Sequence, residues 1–218
     1  NRFLLIVCQT YILILVSFCI SLGTRLDSSL PVEIDERFSH QMINQFTYIA
    51  KKYVPLDTSR YFDIKTYQFI RNNKQELIEL GKAYQHKDAL MFLEIVNRSS
   101  QKIELVLEAS HTRVDELECF FIKNNRPILW EKLQRNKPLY LRKNPYVFFS
   151  FPIEIAAHDT AKVVLHSTRN YGLHITSLDL YRKPRFFEHA IVQNLKSIFQ
   201  VIYCFIFSVI LLLLGFVY

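Results

Sequence analysis

Seven histidines are spread through the chain: His40, His86, His111, His158, His166, His174 and His189. No two stand four residues apart, no HExxH string occurs, and no two cysteines are paired as CxxC. A zinc site needs one of those spacings, so no metal is expected. His166 and His174 could meet across adjacent strands, with an ordinary surface pair as the expected outcome. No Gly-x-Ser-x-Gly elbow or catalytic cysteine signature is present. The four glycines of the whole chain, Gly23, Gly81, Gly172 and Gly215, are scattered. A phosphate loop or dinucleotide turn needs several glycines close together, so no cofactor is expected. The carboxylates Asp115, Glu116 and Glu118 are too ordinary on a strand pattern to suggest a glycosidase pair. Nothing in this segment calls for catalysis.

Binding chemistry remains. Sugars present apolar ring faces and hydroxyl edges, so their sites combine exposed aromatics with polar and charged hydrogen-bonders. Trp130, the only tryptophan, follows Arg126 and precedes Tyr140, Arg142 and Tyr146 within 16 positions. These five residues are the candidate ligand site. Trp130 has two readings, a core anchor at the end of a sandwich or a ligand platform, and the first is favoured. Asn97-Arg98-Ser99 matches a glycosylation sequon, which a chain of this length meets by chance.

The elements that would position these residues are strands. Lys102–Ala109 alternates Ile103, Leu105, Leu107 and Ala109 against Lys102, Glu104 and Glu108. Tyr146–Ile155 does the same with Val147, Phe149, Phe151, Ile153 and Ile155, and Pro152 within it points to an edge strand or a bulge. Leu90–Asn97, Val114–Ile122, Thr160–Ser167 and Tyr171–Tyr181 read as further strands. In the last, the apolar phase slips between Leu173/Ile175 and Leu178/Leu180, which marks a bulge. Turn-forming residues separate these runs, as in Lys123-Asn124-Asn125-Arg126-Pro127 and Ala157-His158-Asp159. Strands of this length without intervening helical patterns predict an antiparallel β-sandwich. Between 31 and 84 the pattern is mixed, with strands at Val32–Ile34 and Gln45–Ala50 and one short helix around Ser59–Asn72.

The 218-residue chain is 50% hydrophobic, and the excess lies at its two ends. Phe3–Leu22 and Ser197–Tyr218 carry no charge and are long enough to cross a bilayer. The first is a membrane anchor or a signal peptide cut before Thr24, and either exports the middle of the chain. The organisation expected is an anchor or signal at 1–23, a β-sandwich at 24–183, a juxtamembrane connector at 184–196 and a membrane helix at 197–218. The start at Asn1 and the stop at Tyr218 within an apolar run suggest a fragment of a longer protein. The positive-inside rule would pull Arg182, Lys183 and Arg185 into the cytoplasm, but it weakens across long loops, so the sandwich is expected outside. Cys8, Cys19 and Cys204 lie in the terminal runs, which leaves Cys119 alone in the middle. The net charge of +7 is scattered rather than gathered on one face, so membrane lipid is expected as a partner and nucleic acid is not.

The order of elements resembles a known family. Ile78-Glu79-Leu80-Gly81 is followed by Leu90–Asn97, then by Glu108–Phe121 around Arg113-Val114-Asp115-Glu116-Leu117. Pro138-Leu139-Tyr140-Leu141-Arg142 then precedes the Phe-rich Val147–Ile155, and Lys162–Ser167 and Leu173–Tyr181 lead directly into an apolar run. Over residues 30–218 this is similar to the extracellular type 2 domain of bacterial seven-transmembrane receptors with diverse intracellular signalling modules. Met91-Phe92-Leu93 replaces the Trp-Leu-Arg-like strand start of that family, and a Gly-Asp before the Arg142 turn is absent. The resemblance implies a jelly-roll-like β-sandwich similar to carbohydrate-binding modules, flanked by N- and C-terminal transmembrane helices. It also implies ligand sensing in the periplasm at the bacterial inner membrane, with a small-molecule or carbohydrate ligand. The cytoplasmic output, a histidine kinase or diguanylate cyclase, would follow the last of seven helices, and a homodimer through the membrane region is a further expectation. The competing class is a membrane-tethered adhesion or assembly module without signalling output.

Overall fold

The structure, a computed structural model, describes residues 31–53, 55–59, 62–63, 66–82, 87–110, 112–142 and 146–217, omitting the side chains of 197 and 213–217. The apolar run at 1–23, with its choice between anchor and signal, lies outside the described residues. So do His86 and His111.

The described chain is mainly β. Its strands are β1 (Val32–Ile34), β2 (His40–Met42), β3 (Tyr48–Ala50), β4 (Phe69–Arg71), β5 (Ile78–Lys82) and β6 (Asp88–Asn97). They continue as β7 (Ile103–Ser110), β8 (Glu116–Lys123), β9 (Arg126–Gln134), β10 (Phe149–Ile155), β11 (Thr160–Thr168) and β12 (Leu173–Arg182), followed by the helix α1 (Lys183–Val217). Eight strands pair in nested fashion: β8 with β9, β7 with β10, β6 with β11 and β5 with β12, all antiparallel. Asn124 and Asn125 close the innermost hairpin with φ of 50° and 57°, values that asparagine tolerates better than most residues. The pairings β8·β11 and β7·β12 then roll this long hairpin into two facing sheets. One sheet is extended by β1, β3 and β4, with β1 running parallel to β6. The other gains β2 on the free edge of β12.

Period-2 alternation places the core. Leu105, Leu107, Phe149, Phe151 and Ile153 are each at most 4% exposed and share one apolar cluster with Met91, Leu93, Leu117, Val163 and Leu180 of both sheets. Strand β6 is apolar on both faces because both are covered. Leu90 and Phe92 meet Tyr48, Phe62, Tyr67, Phe120 and Val164 on the outside of the first sheet. This cover corrects the expectation of a short helix around Ser59–Asn72. The described residues there form turns and β4, because Phe62, Tyr67 and Phe69 are spaced to lie flat on a sheet, ring against ring. Pro152 does sit on an edge strand, since β10 pairs with β7 alone. The phase slip in β12 is a register shift between His174 and Ile175. Asn97 is fully buried, its amide donating to the carbonyls of Gln101, Ile155 and Ala156. The sequon is therefore a structural staple and no acceptor for a sugar.

The segment 184–196 is helical and continuous with the apolar run after it, as α1 starts one residue after β12 ends. Pro184 falls in the first turn, where its missing N–H costs no hydrogen bond. The first turns of α1 lie on the outer face of the second sheet, where Phe186 is buried with Val106, Tyr146 and Tyr181. One turn later the His189 ring stacks on Tyr181 at 5.0 Å, and Nε2 lies 3.9 Å from Oε2 of Glu108. Contacts that advance from Val106 to Glu108 as the helix advances from 186 to 189 make α1 run parallel to β7. It therefore heads for the end of the sandwich where β7 stops at Ser110. Its segment Lys183–Leu212 is long and apolar enough to cross a membrane, and the apolar window is not buried in the protein.

Candidate functional site

Two of the concave regions that the described residues form occupy opposite ends of the sandwich. The first, about 570 Å³, lies where the last residues of β8 and β10 meet the beginnings of β9 and β11. Trp130 and Phe121 form its aromatic wall, their rings edge to face at 5.4 Å and 77°. Lys123, Glu154, Asp159 and Lys162 supply its polar groups. Trp130 reaches this position through a bulge. Cys119 pairs with Glu131 and Phe120 with Leu129, which leaves Trp130 as the extra residue of β9. Bulges re-aim side chains in this way. At 43% exposure Trp130 is no core anchor, so the favoured reading of the sequence is overturned. An aromatic wall flanked by charged hydrogen-bonders suits the stacking and edge recognition of a sugar ring.

The second cavity, about 870 Å³, lies at the end toward which α1 runs. Thr112 and Arg113 after β7, residues 135–142 after β9, Val147–Phe149 before β10 and Ile175 of β12 converge there. Backbone bonds tie these loops together: Arg113 N–H to Ile175 O (2.9 Å) and Arg135 N–H to Asp115 O (2.9 Å). Arg142 is the internal staple. Its Nη1 donates to Tyr146 O at 3.0 Å, its Nη2 to Gln134 O at 3.3 Å, and its guanidinium lies 5.2 Å above the Phe149 ring centre. Burial lowers the pKa of this guanidinium, and the carboxylate of Glu131 opposes the shift.

The five residues expected to form one ligand site are thus divided. Trp130 lines the first cavity. Arg126 stands exposed at the tip of the β8–β9 hairpin and lines neither. Arg142 lines the second cavity, and Tyr140, 79% exposed, sits on the 3₁₀ turn Leu139–Leu141 beside it. Tyr146 is buried beneath, edge to face with Phe186 of α1 at 5.1 Å. The sequence reading missed Phe121 and Glu154 in the first cavity and Arg113, Arg135 and Lys137 in the second. Alternation would have put Phe121 on the side of Cys119, but only the bulge explains why Trp130 joins it. His166 and His174 do not meet, because His174 is buried against Ser167, whose neighbour His166 points to the opposite face of β11. His166 bonds Glu118 and Asp88, and His174 Nε2 lies 3.0 Å from Ser167 Oγ.

A buried carboxyl cluster lies under α1. Glu108 is 1% exposed and faces Asp179 across the β7–β12 pair and Ser150 across the β7–β10 pair. Asp179 accepts from Ser110 Oγ at 2.8 Å and bonds His40 Nε2 at 3.1 Å, while Glu108 Oε2 has no hydrogen-bond partner. Burial first, and the Asp179 charge second, push the Glu108 carboxyl up to about 8. The acid is neutral at moderate pH and sits at the joint between sandwich and helix.

No family model and no curated protein matches the sequence. Among solved structures, CBM35 from Paenibacillus barcinonensis overlaps 67% of this chain and 100% of its own, at 8% identity and a TM-score of 0.32. A carbohydrate-binding module specific for non-crystalline cellulose, CBM28, overlaps 52% of this chain and 76% of its own, at 8% identity and a TM-score of 0.25. Overlaps this loose leave fold and function to rest on the strands and side chains of this chain.

Proposed function

We propose that this chain is the extracytoplasmic ligand-binding domain of a bacterial membrane signalling receptor of the seven-transmembrane type. Its nested strands are read as a jelly roll, its ligand as a carbohydrate or similar small molecule held against Trp130 and Phe121, and α1 as the first membrane helix. The observation that carries the proposal is the joint. Strand β12 passes into α1 without a linker, and Phe186 is 1% exposed in a pocket of Val106, Tyr146 and Tyr181. A flexible tether would absorb a strand displacement, whereas a docked helix moves with its sheet. The ligand cavity also reaches this joint. Glu154 of its wall stands opposite Glu104, and Glu104 holds Lys183, the first residue of α1, at 2.7 Å.

Two measurements test the proposal. Alkaline phosphatase, active only outside the cytoplasm, is fused after Ser167 and should be active; an active cytoplasm-only reporter at the same place refutes the topology. A thermal-shift screen of the full chain in detergent micelles against neutral and acidic sugars should then find a ligand whose binding is lost in Trp130→Ala. Spans and a kinase or cyclase domain encoded downstream of Tyr218 would complete the receptor. A short basic tail there would leave a tethered adhesion module instead.

A further inference from the structure

The cavity at the α1 end gathers cations beside exposed apolar side chains. Several exposed cations elsewhere stand against carboxylates: Arg98 by Glu33, Lys102 by Glu154, Lys74 by Glu79, Lys183 by Glu104 and Arg185 by Glu188, all at 2.6 or 2.7 Å. Arg113, Arg135 and Lys137 make no ion pair among the described residues, and none of the described residues that line the cavity with them is a carboxylate. Beside these cations stands a row of exposed apolar side chains: Leu139 at 40%, Tyr140 at 79%, Leu141 at 65% and Val147 at 58%. A soluble surface seldom gathers such residues in one loop without a partner.

The direction of α1 says what that partner is. The helix runs parallel to β7 toward this end, and between Ile191 and Leu212 its described large apolar side chains are exposed. From Phe186 to Ser197 the helix rises about 16 Å, while β7 covers about 13 Å from Val106 to Ser110. The uncharged stretch therefore begins near the level of the loop, which places the cavity against the surface that the helix enters. We propose that residues 135–142 dock on the bilayer, with Leu139, Tyr140 and Leu141 at headgroup depth and Arg113, Arg135 and Lys137 on the phosphates of anionic lipid. Leucine and tyrosine settle at that depth, and cations beside them gain from the negative surface potential. The docked loop fixes the tilt of the sandwich over its helix, and Tyr146 with Phe148 connects the loop to Phe186.

The inference rests on α1 being the membrane span of the proposed receptor, and one experiment separates the two. The full chain, with its four cysteines changed to alanine, carries a nitroxide at Tyr140→Cys or, for comparison, at Lys123→Cys. It is placed in lipid nanodiscs of phosphatidylcholine alone or with about 30% phosphatidylglycerol, a fraction that gives a strong surface potential. Accessibility to oxygen and to a water-soluble nickel chelate is read by electron paramagnetic resonance. The label at 140 should favour oxygen over nickel by about tenfold in the anionic discs, and the label at 123 should remain open to nickel. The variant R113Q/R135Q/K137Q, which alters only exposed side chains, should return the label at 140 to water. A label at 140 that is open to nickel in both lipids overturns the proposal, as does lipid immersion that the triple variant does not change. Tight binding of citrate with a water-exposed label would make the cavity a small-anion site and overturn it equally. A label at Phe207→Cys reports the span by itself, so a helix that fails to insert is recognised separately.

Discussion

Glu108→Gln should stabilise the protein increasingly as pH rises from about 5 to 8 and remove much of its pH dependence. In the folded chain burial holds the Glu108 proton to about pH 8, against an ordinary value of 4.5. Between those limits the unfolded chain has released a proton that the folded chain still binds, so stability falls as pH rises. The contribution is full below about pH 4.5, declines by up to about 1.4 kcal/mol per pH unit, and is lost once pH passes about 8. The ceiling is about 5 kcal/mol, which relaxation around the helix would reduce. Glutamine keeps the shape of the protonated acid and cannot ionise. The groups facing Glu108 are Asp179 on β12, Ser150 on β10, Tyr146 and Tyr181 at its sides, and His189 on α1. They remain in both proteins, so the difference between variant and parent isolates Glu108. Urea unfolding of the full chain in nonionic micelles, followed by the fluorescence of Trp130, should give nearly equal stability near about pH 4. A gap of several kcal/mol should open by pH 8. Parallel curves for the two proteins across that range would refute the reasoning.

The packing sets four further outcomes. Asn97→Ala strands the carbonyls of Gln101, Ile155 and Ala156 and should cost about 2–4 kcal/mol in the same unfolding assay. Phe151→Ala, at a fully buried site, should cost about 3–5 kcal/mol, and a loss below about 1 would contradict the two-sheet core. Trp130→Ala gives up an edge-to-face contact with Phe121 at a half-exposed site and should cost about 1 kcal/mol or less by thermal unfolding while abolishing the proposed sugar binding. Phe186→Ala should loosen α1 from the sheet, seen as faster amide exchange at residues 184–192 with β6 and β11 unchanged; equal exchange in both proteins would mean that the helix is not held by this contact.

The sequence alone was enough for the core strands. Their alternation has the period of the pleat, so Leu105, Leu107, Phe149, Phe151 and Ile153 could be assigned to one interior before any pairing was known. Pro152 announced an edge or a bulge because proline cannot donate to a ladder, and the edge is what formed; the phase slip in β12 announced its bulge. Strand β9 was hidden, since Arg126–Gln134 lies at the edge of its sheet, mostly exposed, and has no alternation to show. The folding of 184–196 into α1 was hidden as well, because Arg185, Glu188 and Lys196 look like a solvated connector until Phe186 and Ala190 find the outer face of the sheet.

The division of the candidate site was decided by tertiary structure. Arg126, Trp130, Tyr140, Arg142 and Tyr146 lie within 21 positions, but an extended strand carries residues about 3.3 Å apart per step. Strand β9 therefore delivers Trp130 to one end of the sandwich and Arg142 to the other. Neighbourhood in sequence means neighbourhood in space on a helix or in a tight turn, and the opposite along a strand. The burial of Glu108 has the same origin. Its place on the polar face of β7 was plain from the alternation, and only the return of α1 across that face removed the water.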